Sequence, residues 1–151
     1  MNKYSIKKPY ALFWLVIPFI VVIGILKKSQ VFSLEVTDLY FELPFLQFGI
    51  FIAFVCAFLG LCYWLLRKIG LQNRLTLIHV LATLALALFL MIRFGTNKME
   101  AIDVNVFRPT SDLRAYYEQN ELAISVLVFF ISAQLLFIVN IGLTLFKRNK
   151  A

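Results

Sequence analysis

The chain has 151 residues, of which 62% are hydrophobic, 16% aromatic and only 15% charged, with a mean hydropathy of +0.86. Soluble domains carry about 25% charged residues, so this composition excludes an ordinary soluble protein and predicts a single polytopic membrane domain over residues 1–151. The net charge of +7 does not indicate a nucleic-acid partner, because the basic residues stand in short clusters at the ends of apolar runs, where they determine topology.

The first apolar run covers residues 10–26 and is preceded by three lysines. A signal peptide would also place basic residues before an apolar core, but Lys27 and Lys28 follow this run in place of a small-residue cleavage site. We therefore expect an uncleaved transmembrane helix. Pro18, near its middle, predicts a kink whose freed carbonyl is satisfied by a neighbouring helix or by a local backbone adjustment.

Residues 29–43 alternate between apolar and polar side chains. A period of two indicates extended backbone. We expect a short extended segment here, lying across the outer mouth of the helix bundle.

The second apolar run, residues 44–66, organises the chain. Its 23 residues make about 34 Å of helix at roughly 1.5 Å per residue, enough to cross an apolar bilayer core about 30 Å thick. Gly49, Ala53 and Ala57 recur every four residues and form a stripe of small side chains. Such a stripe lets another helix approach closely, so these three residues are the expected packing face of this helix.

The third apolar run, residues 75–94, contains the sequence's only histidine, His79. His79, Thr83 and Ala87 share one helix face because they are spaced four residues apart. A single histidine supplies no second axial ligand for a haem, so we expect a structural or interfacial histidine. Binding of one haem or a quinone near His79 is the alternative.

The fourth apolar run, residues 120–146, contains two amides, Gln134 near its centre and Asn140 nearer its inner end. Amide side chains in membrane helices usually bond to neighbouring helices, so both are expected packing residues. In the polar segment before this run, Ser111 is expected to cap a short separate helix that ends at Tyr117.

The sequence lacks the usual signatures of catalysis. It has no Gly-rich phosphate loop, Cys-x-x-Cys pair, His-Glu motif or serine nucleophile elbow. Cys56 and Cys62 are six residues apart and share a helix face poorly, which favours small packing residues over a disulfide or a metal site. No carboxylate lies inside an apolar run, since Glu121 stands at the outer edge of the fourth, and this disfavours a pump or a small-molecule carrier. We therefore expect no catalytic residue and no cofactor, which favours a protein that is not an enzyme.

Several stretches resemble the large catalytic subunit of the haem–copper oxidases, cytochrome c oxidase subunit I. The resemblance begins with residues 37–41 (TDLYF) and Tyr63-Trp64, which are similar to the start and the end of that subunit's tenth membrane helix. It continues with residues 132–137 (SAQLLF), Asn140 and a basic tail, which are similar to its last helix. The matching stretches follow the order of the subunit's last three helices, which implies an all-helical membrane fold.

The metal-binding positions of the oxidase family carry other residues here. The two haem-ligating histidines of the family fall on Phe45 and Gln47, and a histidine that helps to hold magnesium falls on Thr37. Phe cannot ligate iron, and an amide is a poor substitute for imidazole. Asp38 is the one candidate metal ligand that the resemblance leaves. At the place of His79 the family has a histidine that is not a haem ligand.

The distribution of charge predicts that both termini are inside. With that orientation the inner segments carry nine basic residues and no acid, whereas the outer segments carry six basic residues and all eight acids. The oxidase resemblance implies the same orientation, because the aspartate motif of that family lies on the outer side. The inner basic residues are Lys3, Lys7, Lys8, Arg67, Lys68, Arg74, Lys147, Arg148 and Lys150.

These observations predict an all-α protein with four transmembrane helices and short extended segments outside, in the cell's inner (cytoplasmic) membrane. The expected function is that of a non-catalytic membrane protein, a structural or accessory partner in a membrane complex, resembling the C-terminal part of oxidase subunit I without its haem ligands. Its expected partners are the lipid bilayer and another membrane protein or a second copy. The alternative function is a small redox component that binds one haem or a quinone near His79.

Overall fold

The computed structural model describes residues 8–36, 39–94 and 110–148. Within these residues, four helices are long and apolar enough to cross a membrane, which confirms the expected helix class. The elements, in chain order, are α1 (Pro9–Leu26), β1 (Val31–Val36), β2 (Leu39–Pro44), α2 (Phe45–Leu65), a 3-10 turn (Leu66–Lys68), α3 (Asn73–Arg93) and α4 (Thr110–Arg148).

Helix α1 packs along α2 and also against α3, whereas α4 packs against α3. Proline suits the first turn of a helix, where its missing N–H needs no partner, and α1 begins at Pro9. The helix continues through Pro18. Its buried face repeats every three or four residues and consists of Phe13, Val16, Ile20 and Gly24.

The extended segment is a two-stranded antiparallel hairpin, in which Val31 pairs with Pro44 and Val36 with Leu39. The sequence predicted extended backbone here but not the pairing of its two halves. Folding back is favourable because it pairs backbone donors and acceptors that a lone strand would leave free. Phe32 fixes the hairpin to the bundle, since its ring stacks on Phe48 at 4.1 Å between centroids. Asp38 lies outside the described residues.

The connection between α2 and α3 turns at Gly70, whose φ is +74°. This left-handed conformation strains residues that carry a Cβ, so a glycine suits the position just after a helix end.

Helix α4 is one continuous helix of 39 residues, which corrects the prediction of a separate short helix before residue 120. Ser111 therefore lies within α4 and does not cap a helix that ends at Tyr117. The continuity has a simple cause, because residues 110–121 contain neither proline nor glycine to interrupt the helix.

Lys27 ties the end of α1 to the end of α3. Its ammonium donates hydrogen bonds to the backbone carbonyls of Ile92, at 3.1 Å, and Met91, at 3.4 Å, and lies 5.8 Å from the centre of the Phe45 ring. A cation is favourable beside the carbonyls at a helix C-terminus. Partial burial lowers the pKa of Lys27, because removal from water disfavours the charged form.

Candidate functional site: a buried histidine between four helices

Four aromatic rings, one from each helix, meet inside the bundle, toward the end at which α1 and α3 begin. Phe13 of α1, Tyr63 of α2, His79 of α3 and Phe137 of α4 are all buried. The His79 ring stacks on Phe137 at 5.4 Å between centroids, and Phe137 in turn lies 4.9 Å from Tyr63. Phe13 completes the layer, 5.8 Å from Tyr63 and 6.1 Å from His79. His79 is therefore enclosed by protein, a placement that fits the structural histidine of the sequence analysis better than the interfacial one.

Both ring nitrogens of His79 are hydrogen-bonded to other helices. The Tyr63 hydroxyl lies 2.8 Å from Nδ1, and Oε1 of Gln134 lies 3.1 Å from Nε2. The Gln134 amide is oriented by its own Nε2, which donates to the Phe130 carbonyl at 2.8 Å and lies 3.4 Å from the Thr83 hydroxyl. Since Oε1 can only accept, Nε2 of His79 carries the proton and Nδ1 accepts from Tyr63. The contacts thus define one neutral tautomer of the imidazole.

A second set of polar contacts joins α4 to the start of α3 and is centred on Asn140. The Asn140 side chain donates to the Thr76 hydroxyl at 2.9 Å and accepts from the backbone N–H of Gln72 at 3.0 Å. Thr144 donates to the Asn140 carbonyl at 2.8 Å. Thr76 is also a hydrogen-bond partner of Tyr63, so the two sets are connected. Asn140 of α4 therefore links α4 to the first residues of α3.

The hydrogen bonds of this cluster connect helices to one another. Iron binding at His79 would require a free ring lone pair, but Nδ1 uses its lone pair on Tyr63 and Nε2 carries the proton donated to Gln134. Over residues 8–36, 39–94 and 110–148, no group of three or more His, Cys, Asp or Glu side chains stands close enough to hold a metal ion. What the arrangement does is bond α3 to both α2 and α4.

Gly49 of α2 lies at the interface with α1. A Cβ added to Gly49 would stand 3.5 Å from the Gly24 Cα and 3.0 Å from the Met91 Cε, so the two helix backbones are close at this point. Ala53 is buried and Ala57 half-buried. Sequence reasoning missed Gly24, whose only signal was a single glycine in an otherwise large-residue apolar run.

Phe45 and Gln47, at the family's haem-ligand positions, lie on different sides of α2. Phe45 is buried, whereas Gln47 is exposed, because two residues apart on a helix point in nearly opposite directions. Both cysteines are free thiols, so the disulfide alternative is wrong.

An open apolar groove of about 550 Å³ runs between α3 and α4. Its walls combine small side chains with three large ones. Sequence analysis did not find it, because its two walls come from helices about 50 residues apart in the chain. The lining residues are Ala82, Ala85, Leu86, Phe129, Ser132, Ala133 and Leu136.

The four apolar helices indicate a multi-pass membrane protein. Its described part contains the buried polar cluster around His79 and an apolar groove between α3 and α4. No protein-family model, curated protein or solved structure matches this chain.

Proposed function

We propose that this chain is a non-catalytic membrane protein, a structural or accessory partner in a membrane complex, built on a frame that resembles the C-terminal part of oxidase subunit I. The observation that carries the proposal is the hydrogen bonding of the polar cluster around His79. His79, Gln134 and Asn140 bond to neighbouring helices of the same chain, and neither ring nitrogen of His79 is left free for a substrate or a cofactor.

An absorbance spectrum separates this proposal from the alternative of a small redox protein. The protein, purified from cells supplied with haem precursors, is expected to lack a Soret band, because the resemblance places Phe45 and Gln47 at the family's haem-ligand positions. A stoichiometric Soret band that disappears in His79→Ala would instead establish the haem-binding alternative. Reduction and reoxidation of co-purified quinone provides the matching assay for a quinone site.

The partner is another membrane protein, and its docking surface is the α3–α4 groove. Lipid gives no hydrophobic drive for helix association, so transmembrane helices associate through close packing on small side chains. Ala82, Ala85, Ser132 and Ala133 supply such a floor, and Phe129 is one of the larger side chains beside it. A transmembrane helix of the partner is the occupant whose shape and apolar surface fit this groove.

Site-specific photocrosslinking in native membranes tests the docking surface. A photoreactive residue at Ser132, in the groove, should give a discrete adduct whose peptide maps to a transmembrane helix of one defined protein. Ile138, which is 63% exposed on the same helix but outside the groove, provides the matched control and should give only lipid adducts. An adduct with a second copy of the chain would identify self-association, and lipid adducts at both positions would remove the docking surface.

We further propose an inner (cytoplasmic) membrane location with both termini inside, which is supported by the nine basic and no acidic residues of the inner segments. In a cysteine-free background, single cysteines at Lys3, Gly70 and Asn149 should react with a label from inside. Cysteines at Asp38 and Asn105 should react from outside. Labelling of position 70 from the outside would overturn this orientation.

A further inference from the structure

The residues that begin α1, end α2, begin α3 and end α4 meet at one end of the bundle. The contacts fix this arrangement: Gly49 meets Gly24, Phe13 meets His79, and Asn140 meets Gln72. We call this the basic end. Its described members are Lys8, Arg67, Lys68, Arg74 and the last turn of α4, which contains Lys147 and Arg148.

The basic end carries concentrated positive charge. Lys8, Arg67, Lys68 and Arg74 are all exposed, and among the described residues none of these four forms an ion pair with a carboxylate. In the sequence, the eight acids stand at positions 35–42 and 100–121, apart along the chain from these four residues. Helices α1 and α3 begin here and α2 and α4 end here, so their dipoles oppose one another and the positive charge of this end comes from the side chains.

Arg67 is held in a fixed place at the rim of this surface. Its guanidinium carbon lies 5.0 Å from the centre of the Trp64 ring, and Trp64 is 37% exposed on the outside of α2. A guanidinium over an aromatic face keeps N–H donors at its edge for an oxygen anion, and restraint of the side chain lowers the entropy lost on binding. Tryptophan itself favours the headgroup depth of a bilayer. The pair therefore presents a cation at the depth where lipid phosphates lie.

We propose that the basic end binds the phosphate headgroups of anionic phospholipids, with Arg67 beside Trp64 as the most ordered contact. Arginine matches phosphate oxygens through paired N–H donors, and clustered Lys and Arg at the ends of membrane helices attract anionic lipid. The acyl chains of the same lipid would lie along the apolar outer face of α2, which exposes Leu61 and Leu65 next to Trp64. The inference does not depend on the proposed accessory function, because it concerns lipid and not a protein partner.

Quenching of Trp64 fluorescence by brominated lipid measures the preference directly. Trp14→Phe leaves Trp64 as the single tryptophan, and circular dichroism checks that this background folds. The protein is reconstituted into vesicles containing phosphatidylglycerol or phosphatidylcholine, each brominated close to the headgroup. We expect the relative association constant to favour phosphatidylglycerol several-fold and the preference to weaken in high salt.

Charge variants in that background assign the site. Arg67→Gln should reduce the preference by up to about fivefold, and the triple variant Arg67→Gln/Lys68→Gln/Arg74→Gln should abolish it. Lys28→Gln removes one exposed charge from the opposite end and should leave the preference unchanged. Arg67→Lys keeps the charge but not the paired donors, and should retain an intermediate preference.

Three results would overturn the proposal. One is equal quenching of the starting protein by the two lipids. Another is an unchanged preference in the triple variant. The third is loss of the preference on addition of inorganic phosphate at an ionic strength at which sodium chloride has no effect, which would assign the site to free phosphate and not to a lipid headgroup.

Discussion

The α1–α2 and α3–α4 interfaces hold their helices together by different means. Gly24 and Gly49 bring the backbones of α1 and α2 together, so this interface depends on shape. Helices α3 and α4 are held at separate points by the amides of Gln134 and Asn140, and beside those points an apolar groove stays open. An interface of small residues has no room left, whereas an interface of spaced hydrogen bonds leaves a surface for another molecule. This difference is why we place the partner on α3 and α4.

The largest expected effect is at the α1–α2 interface. Gly49→Leu adds a side chain where a Cβ would already stand 3.5 Å from the Gly24 Cα and 3.7 Å from the Ile20 carbonyl oxygen, so the rest of the leucine forces α1 and α2 apart. Overpacking typically costs about 1–3 kcal/mol and occasionally more. Gly142→Leu is the matched control, because nothing lies within 4 Å of a Cβ at that position. Thermal unfolding in detergent should show that Gly49→Leu is clearly less stable than Gly142→Leu. Equal stability of the two variants would mean that the α1–α2 interface is not closely packed.

Loss of the inner amide should have the next largest effect. Asn140→Leu removes bonds to Thr76 and Gln72 while it keeps the size of the side chain similar, and hydrogen bonds between membrane helices are worth about 0.6–2 kcal/mol each. Gln47→Leu removes an amide that is exposed on α2 and should be neutral or stabilising. The comparison is made by detergent titration to the unfolding midpoint. If Asn140→Leu is as stable as Gln47→Leu, the hydrogen bonds of Asn140 do not stabilise the α3–α4 interface.

A smaller effect is expected at the hydroxyl of Tyr63. Tyr63→Phe removes the hydroxyl that bonds to His79 and Thr76 and should cost about 1 kcal/mol, with the ring packing unchanged. The corresponding change at the half-buried Tyr10 is the control. A double-mutant cycle with Gln134→Leu should show coupling, since both groups bond to the same imidazole. Additive effects would indicate that the His79 ring does not link the two helices.

The smallest effect is expected on the surface. Phe51 and Phe58 are 60% and 56% exposed on α2 and face away from its small-residue stripe. Phe51→Leu and Phe58→Leu replace one apolar surface with another and should change stability by less than about 0.5 kcal/mol. Collapse of Phe58→Leu together with tolerance at Ala53→Leu would mean that α2 is rotated from the orientation described.

The four helices were predictable because crossing a bilayer imposes long uncharged runs, and those runs are visible in the sequence. Gln134 and Asn140 could be singled out because an amide in such a run needs a partner. The partners themselves could not be found, since the pairing of Gln134 with His79 depends on which helices are neighbours. The hairpin at residues 31–44 has strand-like periodicity in both halves, but nothing in that periodicity states that one half pairs with the other.

The central claim is that His79 links α3 to α2 and α4 and that both of its ring nitrogens are hydrogen-bonded. Because it is the only histidine in the sequence, 15N-histidine labelling gives solid-state NMR signals from this ring alone. We predict a neutral ring protonated at Nε2, with both nitrogens hydrogen-bonded, unchanged by added haem or quinone, and a shift of the Nε2 signal in Gln134→Leu. An Nδ1-protonated ring, or signals that shift or broaden when haem or quinone is added, would contradict the account.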